Sequence, residues 1–173
     1  MIRGLVWSIA LIMPLTLLAA CTTSAISDNA QVAIYAAVAR QLYMVDHTFG
    51  DDPPNFPTVY LLGDTYSPAA GDNYIDIEES VKTAVITALS DLPAQFIWVQ
   101  HRDEVPIDEV TGGVGGNGVI ITLGSIEPQE DGTVQVTASI YIGNLAAGGT
   151  TYVLEKVNDS WRIIGNAGVF WIS

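Results

Sequence analysis

The chain has 173 residues, 49% hydrophobic and 14% charged, with 6 basic residues against 19 acidic and a single cysteine. So much apolar material excludes a disordered acidic tail, and one cysteine excludes a scaffold built on internal disulfides. A net charge of -13 argues against a nucleic acid as partner, because polyphosphate is held by clusters of Lys and Arg.

The first twenty residues carry one charge, Arg3, and then run apolar except for Ser8, Pro14 and Thr16. This is the layout of a secretory signal. Leu18, Ala19, Ala20 and Cys21 resemble a bacterial lipobox. The resemblance implies cleavage before Cys21 and acylation of its sulfur. The product that the resemblance implies is a lipoprotein of the bacterial cell envelope, attached to the extracytoplasmic side of the membrane through Cys21. Each buried methylene contributes about 0.8 kcal/mol, so two or three acyl chains anchor stably where one is marginal. An uncleaved membrane anchor, or a plain signal peptide followed by a chance cysteine, is the other reading of this run. The expected organisation is a signal peptide at 1–20, a short tether at 21–27 and one α+β domain at 28–173, a length that suits a single core.

In the domain, Val32, Tyr35, Ala36, Ala39, Leu42 and Tyr43 recur at steps of three and four, which predicts a helix from Asn29 to about Tyr43. Asp28 and Gln31 resemble a capping box at its start. The prolines of 46–57 forbid regular structure, a strand is expected at Thr58–Leu62, and an acidic loop follows from Gly63 to Tyr74. Ile77, Val81, Val85, Ala88 and Leu92 predict a second helix over Ile77–Asp91, stopped by Pro93. Phe96–Val99 is apolar on both faces and suits a central strand. Beyond it, strands are expected at Val119–Ile126, Thr133–Asn144, Thr151–Val157, Trp161–Ile164 and Val169–Ile172. Asp131-Gly132, Gly148-Gly149 and Asn158-Asp159 supply turn signals. These form an antiparallel meander. The expected fold class is α+β, two N-terminal helices packed on a curved antiparallel sheet of about five to six strands.

The ending TYVLEKVNDSWRIIG, an apolar strand, an Asn-Asp turn and a strand opening with Trp161, resembles the final hairpin of the cystatin-like superfamily, including nuclear-transport-factor-two-like domains. The resemblance covers about 96–173. The loop at 46–57 and the glycine-rich run before Val119 depart from it, which keeps another two-layer α+β sandwich open. Enzymes of that superfamily use an Asp or His projecting from the sheet into an apolar cone, and fold alone does not select a function. Here the polar side of the longest strand carries Thr133, Gln135, Thr137, Ser139 and Tyr141. No acid or base is among them, so no catalytic residue is assigned; the row is read as a candidate ligand-binding surface, with a solvated sheet face as its alternative.

Asp46, His47, Asp51 and Asp52 have the chemistry of metal ligands but no motif spacing, and helix capping explains Asp72, Asp76, Glu78 and Glu79; no metal or other cofactor is expected. His101 lies among Arg102, Asp103 and Glu104 in what reads as an exposed loop. Catalytic partners converge from separate elements, not from sequence neighbours. TGGVGGNG at 111–118 precedes a strand, not a helix, and lacks a lysine, so it reads as a flexible hairpin connection and not as a phosphate loop. Interior-strand aromatics such as Phe96, Trp98, Tyr141 and Tyr152 are expected in the core, whereas one of Phe170 and Trp171 must face outward. The expected function is a cell-surface lipoprotein acting as a non-catalytic binding or interaction module with a protein or small-molecule partner. A cofactor-free lyase or isomerase and a structural envelope protein are the alternatives.

Overall fold

A computed structural model describes residues 26–47, 55–64 and 74–173. The expected signal segment, Cys21, most of the expected tether, Asp51, Asp52 and Asp72 lie outside the described residues. The elements in chain order are α1 (Asp28–Met44), β1 (Thr58–Gly63), α2 (Glu79–Ala88), β2 (Gln95–Val99), β3 (Val119–Pro128), β4 (Val134–Gly143), β5 (Ala146–Val157) and β6 (Ser160–Ile172). They form an α+β fold with one open, mixed sheet in the order β2-β1-β3-β4-β5-β6.

The sheet is not wholly antiparallel. β1 pairs in parallel with β2 on one side and with β3 on the other, and only β3 to β6 form the expected antiparallel meander. Parallel neighbours cannot be joined by a tight turn, so α2 serves as the crossover from β1 to β2. It therefore follows the first strand, and α1 alone precedes the sheet. β2, expected to be central, is an edge strand; Phe96 is buried while Ile97 and Trp98 are half-buried. Its apolar character comes from cover on both faces.

Other local expectations shift for identifiable reasons. Asp28 is the first helical residue of α1 and Ser27 its N-cap, and the side chain of Gln31 donates to the Ile26 carbonyl at 3.1 Å, so no capping box forms there. Gly148 and Gly149 lie inside β5, paired with β4 and β6, and the turn is at Asn144-Leu145. The two short C-terminal strands are one strand, β6, that absorbs register shifts against β5. Asn158 and Asp159 both take positive φ, 49° and 63°, the signature of the two-residue turn that joins β5 to β6.

Both helices cover the same face of the sheet. Ile34, Val38 and Leu42 of α1 and Val81 and Val85 of α2 pack against Leu61, Ile121, Val136, Ile140 and Leu154, each at most 1% exposed. Fully burying such a side chain contributes roughly 1.5–3 kcal/mol. Polar links fix the layers. Arg40 donates to both carboxylate oxygens of Asp91 at 2.8 and 2.6 Å, tying α1 to the turn that follows α2, and Trp98 Nε1 donates to the Lys82 carbonyl at 3.0 Å. Tyr152 of β5 donates its hydroxyl to Asp46 at 2.7 Å, and burial, with Asp46 beside it, pushes the phenol well above its ordinary pKa.

Candidate functional site

Among the described residues, no α-helix covers the opposite face. Alternation along the strands turns Leu62 of β1, Ile120 and Thr122 of β3, and Ser139 and Tyr141 of β4 toward it. Part of this face is covered by the segment joining β2 to β3, through Val105 and Val114, which pack with Leu62, Val99 and Ile120 in a second, smaller apolar cluster. The segment is a crossover between strands that are both parallel to β1, so it does not join two paired strands as the expected hairpin connection would, although Ile107 and Val114 form an isolated antiparallel bridge within it.

Its backbone is well tied. Asp108 Oδ1 accepts from the amides of Val110 and Thr111 at 3.0 and 2.8 Å and from the Thr111 hydroxyl at 3.0 Å. Those bonds, the Thr111 amide foremost, lower the Asp108 carboxyl pKa. The Val114 amide donates to the Ile142 carbonyl at 2.9 Å, and the Tyr141 hydroxyl donates to the Gly112 carbonyl at 2.7 Å.

Where this cover stops, a pocket of about 270 Å³ opens over the sheet. Leu62, Thr122, Ser139 and Ala147 contribute to its lining from the strands. Asp64, 7% exposed, enters just beyond β1, where its amide donates to the Leu123 carbonyl at 3.0 Å and it forms a bridge with Tyr74. Trp171 of β6 lines the pocket opposite Gly149. A Cβ on Gly149 would lie 2.9 Å from Trp171 Nε1 and also from the Ala138 carbonyl oxygen, so the indole can lie across β5 only because this residue is glycine.

Arg102 forms another part of the lining, its guanidinium carbon 4.3 Å from the centre of the Tyr141 ring. It opens a 3-10 turn held by Glu104, whose carboxylate accepts from the amides of Gln100 and His101 at 3.0 and 2.8 Å. Next to the pocket, and sharing Tyr74 and Arg102 with it, is a wider depression of about 490 Å³ that includes His101, Asp103 and Ile107. The His101 ring meets Tyr74 edge to face at 4.6 Å.

Of the row read from the sequence, Ser139 and Tyr141 reach this pocket and three do not. Thr133 lies before β4 and closes a turn on Asp131, Gln135 is half-buried farther along β4, and Thr137 shares a hydrogen bond of 2.8 Å with Thr151. Tyr141 and Trp171 are thus not core residues of the helical layer. Asp64, Arg102 and Trp171 were not legible as a group, because they come from the residue just beyond β1, the crossover and β6. Asp46 is engaged by Tyr152 and by Gln41, and His47 is buried against Phe56, its Nδ1 without a hydrogen-bond partner among the described residues. No group of three or more His, Cys, Asp or Glu among the described residues is placed to hold a metal ion. Likewise, no described helix is long and apolar enough to cross a membrane. Comparison with protein-family models, with curated proteins and with solved structures gave no match to this chain.

Proposed function

We propose that the chain is a lipid-anchored, extracytoplasmic binding module whose ligand site is the pocket on the helix-free face of the sheet. One observation carries the site: Asp64, Arg102 and Trp171, remote in sequence and borne by separate elements, line a single pocket together with Ser139 and Tyr141. The anchor rests on the lipobox-like run ending at Cys21. A cystatin-like relationship is proposed for β3 to β6 alone, on the hairpin that closes that meander; the parallel strands β1 and β2 lie outside it.

Ligand-observed NMR on the full-length chain in detergent, with a small-molecule library, tests the site. Compounds that bind the unmodified chain are expected to lose binding to Ser139→Trp, which fills the pocket; equal binding to both proteins contradicts the assignment. Acyl labelling is expected to disappear in Cys21→Ser, and its persistence would overturn the anchor. A second reading, a cofactor-free lyase or isomerase, is favoured by the nearly buried Asp64 carboxylate in the pocket. It requires that a bound compound be turned over and that Asp64→Asn stop the turnover while binding continues.

A further inference from the structure

Taking the pocket as the ligand site, we infer that it accepts a small zwitterion of the α-amino acid class, with the ligand carboxylate on Arg102 and its ammonium group on Asp64. Cations are scarce in this chain, 6 against 19 acids, and most of those described are committed to a carboxylate. Arg40 pairs with Asp91, Lys82 with Glu79 and Lys156 with Asp159, and Arg162 stands opposite Glu155 in the β5–β6 register. Arg102 is in none of these ion pairs. Its guanidinium is stacked on Tyr141 instead. Stacking uses the face of the planar group and leaves its N–H edge for an acceptor, and a carboxylate matches that edge with two parallel hydrogen bonds.

Asp64 places a charge of the opposite sign in the same small pocket, where its oxygens can accept from an ammonium group. A purely anionic ligand would meet Asp64 and the field of a chain at -13, and a purely cationic one would meet Arg102. A molecule carrying both charges is complementary to both residues. The volume of about 270 Å³ suits a single amino acid, and Tyr74 and Trp171 offer aromatic surface to its side chain.

Isothermal titration of the full-length chain in detergent micelles decides this with three matched series. These are free amino acids with aromatic or aliphatic side chains, their carboxamides, and the corresponding acids without the amino group. The free amino acids are expected to bind, and each analogue to bind at least about tenfold more weakly, as loss of a charge-assisted hydrogen bond implies. Arg102→Gln is expected to erase the preference over the carboxamide, and Asp64→Asn the preference over the deaminated acid. If a carboxamide or a deaminated acid binds as tightly as the amino acid, the zwitterion inference is overturned while the pocket still binds. If no compound of these series or of the NMR library binds, the pocket reading falls as well. The analogue comparison uses the unmodified chain, so it stands even where a variant misfolds.

Discussion

Ile140 and Tyr141 are neighbours on β4 with opposite surroundings. Ile140 is fully buried in the core under the helices, whereas Tyr141 faces the helix-free side, carries Arg102 on its ring and hydrogen-bonds the crossover segment. The contrast extends over the whole sheet. The helix-covered face is closed by aliphatic side chains, and the other is sealed by Val105 and Val114 at one place and left polar and hollow beside it. One face supplies most of the stability, which leaves the other free to carry charges and a cavity.

That division is broken most severely from the helical side. Leu61→Ala, at a site with no exposure, is expected to cost about 2–5 kcal/mol in denaturant unfolding, while the refolded protein keeps its pocket contacts. Gly149→Val acts on the other face. A branched side chain 2.9 Å from the Trp171 indole nitrogen and the Ala138 carbonyl must displace one of them. A loss of about 1–3 kcal/mol is expected, accompanied by a shift in the Trp171 signal.

Tyr152→Phe and Tyr141→Phe sharpen the comparison, because each removes one hydroxyl from opposite faces. Both are expected to cost about 1 kcal/mol. Only Tyr141→Phe should speed hydrogen exchange in the crossover around Gly112, since only that hydroxyl binds there. The smallest effect is acid sensitivity. Asp91 has its carboxyl pKa lowered by the hydrogen bond from Arg40, Asp108 by Thr111 and Asp131 by Thr133. A lowered folded-state pKa adds stability above the ordinary carboxylate range, and that stability is lost as pH falls through the folded-state values. Arg40→Gln should flatten the part of this acid loss that belongs to Asp91, without altering the pocket, as measured by unfolding between pH 5 and pH 2.

The helix-covered face was largely legible in the sequence. The three-and-four spacing of α1 places Tyr35, Ala36, Ala39, Leu42 and Tyr43 in the core, and the Val81 and Val85 repeat and the alternation from Val134 to Ile140 do the same for α2 and β4. The spacing did not mark Ile34, Val38 and Leu89, which are buried, whereas Val32 is half-buried and Ala88 is exposed. Strand direction was not legible, because a parallel pair depends on a crossover whose ends lie far apart in the chain, and Phe96–Val99 reads the same at an edge covered on both faces as at the centre. The pocket was half legible. Ser139 and Tyr141 follow from the period of two, but no spacing links Asp64 just beyond β1 to Arg102 in the crossover and Trp171 in β6. Gly149 gave a misleading signal, since a glycine kept for the approach of an indole has the same letter as one kept for a turn.

Fluorine NMR of the full-length chain labelled with 5-fluorotryptophan reads the two faces at once, because Trp98 and Trp161 pack against the helical core and Trp171 lines the pocket. With the resonances assigned by single Trp→Phe substitutions, titration with a ligand of the pocket is expected to move the Trp171 line and leave those of Trp98 and Trp161 in place. Binding that shifts Trp98 or Trp161 while Trp171 stays still would contradict the assignment of the ligand site to the helix-free face.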